Sequence, residues 1–173
     1  MKTFWKFAVR DLLLISTTAL AWWALSSSTG GAGLLSDLLG LVLGLAFGFS
    51  VFLLHEWGHW LGAVLGGSRI HAPDRLSSFY LFSYDSATNS RKQFLAMSLA
   101  GFVVTALAII VAYGPLAEPL QSARVARGAI AFLASLTVFI EIPLLVFSFF
   151  SSKLPPVETF KVPVGREAEP DTP

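Results

Sequence analysis

Four long apolar stretches constrain the fold of this chain more than any other feature of its sequence. They run from about residue 11 to 25, 34 to 65, 94 to 113 and 128 to 150, and aromatic residues before position 11 extend the first. A helix needs about 20 mostly apolar residues to cross a bilayer. Only 13% of the 173 residues are charged, whereas a soluble domain carries about 25%. The sequence therefore predicts an all-α membrane protein with four transmembrane helices.

Basic residues are distributed unevenly around these stretches. With the N-terminus in the cytoplasm, only Arg124 and Arg127 of the twelve Lys and Arg residues fall on the far side of the membrane. Because positively charged loops remain in the cytoplasm, the sequence predicts both termini inside. The protein is then a multi-pass integral membrane protein, expected in the cell (inner) membrane. The short loop between helices 2 and 3 becomes cytoplasmic. Its aromatic segment 77–83 could form a strand or a membrane-dipping β-hairpin, and the alternative is an aromatic loop at the membrane interface.

The two ends of the chain differ from its middle. Residues 1–150 are predicted to form one integral membrane domain, and the proline-rich, charged residues 151–173 a disordered cytoplasmic tail. One alternative concerns the N-terminus, because basic residues, an apolar run and Ala24-Leu25-Ser26 are also typical of a cleaved signal peptide. Residues 1–26 are therefore either a retained span or a cleaved leader.

Composition and small-residue spacing narrow the classes of partner. A net charge of +1 is too small to indicate nucleic acid as a partner, and the absence of cysteine excludes disulfides and thiolate metal sites.

Glycine recurs every fourth residue from Gly40 to Gly48 and again from Gly58 to Gly66. Such rows let membrane helices approach closely, and packing inside the bundle is favoured over a dimer contact. The oligomeric state is left open, and the lipid bilayer is the expected surrounding.

The second apolar stretch contains the motif His55-Glu56-Trp57-Gly58-His59. Residues four apart lie on one face of a helix, so both imidazoles can bind one metal ion while Glu56 accepts a proton from a water molecule. This is the arrangement of zinc metalloproteases. The sequence predicts Zn²⁺ bound by His55 and His59, with Glu56 as the catalytic base. The alternative is a polar patch that forms hydrogen bonds with neighbouring helices.

A catalytic zinc ion usually has a third protein ligand, and Glu141 is the best candidate. It is the only ionisable residue between positions 128 and 150, and an isolated carboxylate within a membrane indicates a functional site. Measured along their helices, His59 and Glu141 lie at similar depths, roughly 15 Å from the cytoplasmic surface. The alternative is a protonated glutamate bonded to a backbone carbonyl. Pro143 removes a helical hydrogen bond, so the helix is expected to open near Glu141.

Two segments together resemble the site-2 protease family of intramembrane zinc metalloproteases. The first is the motif with the following Trp60-Leu61-Gly62-Ala63 and Gly66-Gly67. The second, Ala100-Gly101-Phe102-Val103-Val104-Thr105, is similar to the family's Ala-Gly-Pro-x-x-Asn element. The family's third ligand is an aspartate in a Leu-Asp-Gly element that follows a proline, whereas Glu141 precedes Pro143. The chain thus resembles a minimal or divergent member.

The resemblance implies a zinc metallopeptidase that hydrolyses a peptide bond in or near a transmembrane segment of a membrane-protein substrate. By this resemblance, His55 and His59 are expected to be zinc ligands and Glu56 the catalytic base. The alternative function is a non-catalytic pseudoprotease that binds and regulates a membrane protein. A transporter is disfavoured, because the four stretches contain no inverted repeat.

Overall fold

The computed structural model describes residues 2–73, 75–116 and 119–155, so most of the predicted tail lies outside the described residues. The described chain is mostly helical. Its helices are α1 (Lys2–Leu25), α2 (Leu34–Leu65), α3 (Arg91–Tyr113), α4 (Gln121–Leu136) and α5 (Ile142–Phe150), and its strands are β1 (Ile70–His71) and β2 (Ser83–Tyr84).

Four helical stretches of the described chain are long and apolar enough to cross a membrane. They are Phe4–Gly30, Leu34–Leu65, Arg91–Tyr113 and Gln121–Phe150, the last of which joins α4 and α5. The prediction of four such helices is confirmed. The fourth stretch begins earlier than its apolar core because small and polar residues form the first turns of α4. Arg124 and Arg127 consequently lie within that helix rather than in a loop.

Helix α2 is the centre of the bundle and packs against α1, α3 and α4. Its two glycine rows serve different neighbours. A Cβ atom at Gly44 would lie 2.5 Å from the Val125 side chain of α4, whereas a Cβ atom at Gly62 would lie 2.4 Å from the Ala96 carbonyl oxygen of α3. Backbone contact of this closeness requires glycine. The prediction that the glycine rows pack inside the bundle is confirmed.

The connection between α2 and α3 contains a small β-hairpin that folds back over the bundle. Strands β1 and β2 are antiparallel and pair Ile70 with Tyr84 and His71 with Ser83. A β-hairpin is therefore present in this loop, but residues 77–83 form neither a strand nor a hairpin by themselves, and residues 77–82 are an irregular loop, as in the alternative prediction. Within that segment only Ser83 is in a strand, because the chain before it turns along α2 and brings the Phe79 ring to 6.1 Å from the Phe49 ring.

The fourth stretch does not continue as a regular α-helix. Between α4 and α5 lies a π-helical turn, Thr137–Glu141, in which the Ile142 N–H bonds to the carbonyl of Thr137, five residues earlier. Pro143 has no N–H to donate and its ring crowds the preceding turn. The predicted opening of the helix near Glu141 is confirmed. Single π turns of this kind are frequent at functional sites.

Candidate metal centre

Three side chains from two helices converge on one point in the bundle. His55 Nε2 lies 2.9 Å from His59 Nε2 and 3.0 Å from Glu141 Oε1, and His59 Nε2 lies 3.7 Å from the same oxygen. Ligands bound ~2.0–2.1 Å from a tetrahedral zinc ion are about 3.3 Å apart. The triangle of atoms has this size, so the three residues could hold a metal ion.

Each residue reaches this point because of its local backbone. His55 and His59 are four residues apart in α2, so their rings stand on one face with centroids 4.4 Å apart. Glu141 is the last residue of the π-helical turn. A π turn holds one more residue than an α turn, and this shifts the residues that follow around the helix axis.

Hydrogen bonds to carbonyl oxygens of α3 determine which nitrogen of each histidine faces the point where the three side chains converge. His55 Nδ1 lies 3.1 Å from the Gly101 carbonyl oxygen, and His59 Nδ1 lies 3.0 Å from the Met97 carbonyl oxygen. A carbonyl oxygen only accepts, so both Nδ1 atoms carry a proton, and in the neutral imidazoles both Nε2 atoms keep a lone pair. Metal-binding histidines in proteins are oriented in the same way.

When both imidazoles are neutral, the three converging atoms are all acceptors, which fits a cation between them. Glu141 Oε2 is buried and has no hydrogen-bond partner among the described residues, and Oε1 faces the His55 ring rather than a backbone carbonyl. Acceptors held this close repel one another unless a positive charge lies between them. The donor set of two imidazoles and a carboxylate suits a catalytic zinc site.

The second segment that carried the family resemblance lies directly against the two histidines. Thr105 Oγ1 is 2.8 Å from His55 Nδ1, and a Cβ atom at Gly101 would lie 2.2 Å from His59 Cε1. Glycine at position 101 therefore leaves room for the His59 ring. The contacts of Met97, Gly101 and Thr105 show that α3 orients the histidines, a role that their sequence pattern did not reveal.

Thr105→Val should weaken metal binding without disturbing the bundle. Valine keeps the shape of the side chain but removes the hydroxyl that contacts His55 Nδ1, leaving only the longer bond to Gly101. Loss of such a supporting contact typically lowers metal affinity 10–100-fold, and about tenfold is expected because one partner remains. Zinc titration against a competing chelator measures the change. Thr17→Val, on the exposed face of α1, is the control, and equal affinities in the two variants would contradict the role of Thr105.

Glu56 lies beside the three converging groups, at the wall of a small cavity. The cavity has a volume of about 140 Å³ and also borders His59 and Glu141. The Glu56 carboxylate accepts a hydrogen bond from the backbone N–H of Leu81 in the β1–β2 connection. A carboxylate held in this position can exchange a proton with a small molecule in the cavity.

The remaining wall of the cavity is apolar and largely aromatic. Its residues come from the β1–β2 connection, β2, α3 and α5: Tyr80, Phe82, Tyr84, Phe94, Met97, Ser98 and Leu144. Burial raises the pKa of the Tyr84 phenol, so its hydroxyl stays neutral at neutral pH. Apolar walls exclude water and strengthen the electrostatic interactions within a site.

The structure separates the candidate site residues from the other titratable groups. His71 lies in β1, paired with Ser83, and does not belong to the His55, His59 and Glu141 group. The sequence analysis did not identify two groups near the site. One is the Leu81 amide, which contacts Glu56, and the other is the buried Asp11 of α1, which accepts a hydrogen bond from Trp57. A backbone amide carries no sequence signal, but a charged residue at the start of an apolar stretch could have drawn attention to Asp11.

Comparison with known proteins adds no relative: no protein-family model, curated protein or solved structure matches the chain. The chemistry of the site must therefore be argued from its own geometry.

Proposed function

We propose that this protein is an intramembrane zinc metalloprotease that hydrolyses a peptide bond in or near a transmembrane segment of a membrane-protein substrate. The observation that carries the proposal is the convergence of His55, His59 and Glu141 beside the Glu56 carboxylate. Each member of this set has a role in peptide hydrolysis, and the set lies within helices that are apolar enough to cross a membrane.

The chemistry divides between the ion and the residues around it. A zinc ion held by the two histidines and Glu141 would supply Lewis acidity and lower the pKa of water to about 7. Glu56 takes a proton from the attacking water and passes it to the leaving amine. The Leu81 N–H holds the Glu56 carboxylate toward the cavity during both transfers.

The proposed topology places the site near the cytoplasmic side, with both termini inside. The first helix is retained in this proposal, because Phe7 and Asp11 of α1 are buried in the folded protein. In an intact helix each peptide carbonyl is hydrogen-bonded within the helix and surrounded by side chains, so its peptide bond is shielded from attack. A substrate helix must therefore unwind locally, so that an extended stretch enters.

A second candidate is a pseudoprotease that binds and regulates a membrane protein without cutting it. The observation in its favour is the third ligand. Glu141 stands before Pro143, whereas the family that the sequence resembles has an aspartate after its proline. A longer side chain on a π-helical turn could hold zinc in a geometry without an open position for water.

Replacing Glu56 by glutamine tests the proposed function. The amide keeps the volume of the side chain but cannot accept a proton, so purified Glu56→Gln should keep about one zinc ion per chain. Its cleavage of fluorescently labelled casein, an unfolded probe, should fall at least ~100-fold below wild type. Zinc is measured by mass spectrometry of the metal and cleavage by fluorescence, both in detergent.

Asp37→Asn is the matched control, because Asp37 is an exposed acidic residue in the first turn of the same helix. It should keep both zinc and cleavage. Wild-type protein that binds zinc but leaves casein and reconstituted single-span peptides intact would support the pseudoprotease. Wild-type protein that takes up no zinc would exclude both the protease and the metal centre.

A further inference from the structure

An ion pair on α1, of which the Asp11 carboxylate is buried and the Arg10 side chain half-buried, joins three separate parts of the chain. Arg10 Nε lies 2.7 Å from Asp11 Oδ1, and Arg10 Nη1 donates to the carbonyl oxygens of Leu76 and Ser78, the latter at 2.7 Å. The Trp57 indole N–H donates to Asp11 Oδ2 over 2.8 Å. These hydrogen bonds link helix α1 to α2 and to the β1–β2 connection, in addition to the apolar packing of Phe7 in the buried cluster that contains Leu81 and Phe82.

The Asp11 carboxylate is shielded from solvent and fully hydrogen-bonded, unlike the carboxylates of surface ion pairs. Asp11 is 2% exposed, and each of its carboxylate oxygens has a partner. Charge-assisted hydrogen bonds are stronger than neutral ones, and removing one member of a buried pair leaves the other charge uncompensated. Charged residues within a membrane span are also costly to insert. The pair therefore needs a role that α1 alone does not explain.

Residues 75–82, here called the covering loop, are what the network holds. Arg10 bonds to the backbone of this loop at two points, and the loop then runs to Leu81, whose N–H bonds to Glu56. Tyr80 and Phe82 of the same loop line the cavity. Trp57, which ties Asp11 to α2, follows Glu56 directly in the chain. The same few residues thus connect the loop and the candidate base.

We propose that Arg10, Asp11 and Trp57 are positioning residues that hold the covering loop against the candidate metal centre. By holding the loop they place the Leu81 N–H on Glu56 and the aromatic side chains around the cavity. Their effect on catalysis rests on the proposed function, whereas their hold on the loop can be measured without it.

A single introduced thiol reports the position of the loop. The chain contains no cysteine, and Ser83, the first residue of β2 directly after the covering loop, is buried. Ser83→Cys therefore adds one shielded thiol of nearly the same size. In full-length protein reconstituted in bilayer nanodiscs, N-ethylmaleimide should modify it slowly. Adding Asp11→Asn should speed the modification at least about tenfold, because the charge-assisted bonds are lost. Trp57→Phe, which removes only the indole donor, and Arg10→Lys should have smaller effects in the same direction.

Two controls separate release of the loop from general loosening. Asp37→Asn removes an exposed carboxylate from α2, and Trp23→Phe changes an exposed tryptophan on α1; neither should change the modification rate. An unchanged rate in Asp11→Asn would overturn the proposal. An equal increase in Asp37→Asn would overturn it as well, because loss of any carboxylate would then suffice.

Zinc content and cleavage distinguish this inference from the proposed function. Asp11→Asn should keep its zinc while casein cleavage falls about tenfold, and Asp11→Glu, which retains the carboxylate, should restore cleavage and shielding. If wild type binds no zinc but Asp11→Asn still exposes the thiol, the proposed function fails and the hold on the loop stands. If zinc and cleavage behave as proposed but the thiol stays shielded, only the positioning role fails.

Discussion

His59→Ala is expected to purify without stoichiometric zinc, whereas wild-type protein should carry about one zinc ion per chain. The substitution removes one of three converging ligand atoms and leaves His55 Nε2 and Glu141 Oε1, 3.0 Å apart, as a two-ligand site. Supporting contacts alone are worth 10–100-fold in metal affinity, so loss of a direct ligand should lower the affinity by more than about 100-fold. Metal analysis of detergent-purified protein, followed by titration with a chelator of known affinity, measures both quantities.

Two further variants make the result specific. His71→Ala removes an exposed histidine of the hairpin that lies outside the converging group, and it should keep its zinc. Glu141→Gln keeps the side-chain volume but loses the negative charge, and it should lose zinc nearly as completely as His59→Ala. Wild-type zinc content in Glu141→Gln would show that the third ligand is another group. Equal losses in His71→Ala and His59→Ala would contradict the site itself.

Gly62→Leu is expected to have the largest effect on stability among substitutions outside the site. A Cβ atom at Gly62 would lie 2.4 Å from the Ala96 carbonyl oxygen and 2.9 Å from Met97 Cα. Both are backbone atoms of α3, so the two helices must separate. Overpacking costs about 1–3 kcal/mol in ordinary cores, and about 3 kcal/mol is expected here. Separation would also move the Met97 carbonyl away from His59, so zinc affinity should fall with stability.

Gly128→Leu is the matched control, because a Cβ atom at this helical glycine would contact nothing within 4 Å. It should be neutral or slightly stabilising, since leucine favours a helix by up to ~1 kcal/mol over glycine. Reversible unfolding in mixed micelles with increasing sodium dodecyl sulfate measures both free energies. Equal stabilities for the two variants would show that α2 and α3 do not require contact at Gly62.

The helices that are long and apolar enough to cross a membrane could be predicted from the sequence because their cause is local. A run of about 20 apolar residues is long enough to cross a bilayer whatever its neighbours are, and all four stretches are helical in the structure. Helix ends were less predictable. Helix α3 begins at Arg91 because the Ser90 side chain caps it together with Gln93. Helix α4 begins with polar turns because these pack on the first glycine row.

In the candidate site, too, local features could be predicted from the sequence and long-range distances could not. His55 and His59 could be predicted to bind one ion because a spacing of four residues places them on one helical face. Glu56 could be predicted as the base because it is adjacent to His55 in the chain. Glu141 could be proposed from its isolation in an apolar stretch, but its distance from the histidines could not. That distance depends on the packing of α2 against the neighbouring helices and on a π-helical turn, neither of which a residue pattern encodes.

The amino-acid order by itself determined the four membrane-length helical stretches, the two-histidine motif and the close-packing glycines, since each follows from residues that are near one another in the chain. Only the tertiary structure decided which helices those glycines contact, which histidine nitrogens face the centre, and how Arg10 and Asp11 hold the covering loop. These features join residues that are up to 86 positions apart in the chain, as His55 and Glu141 are. Such contacts form only when the whole bundle packs, because their geometry is set by backbone positions on several helices at once.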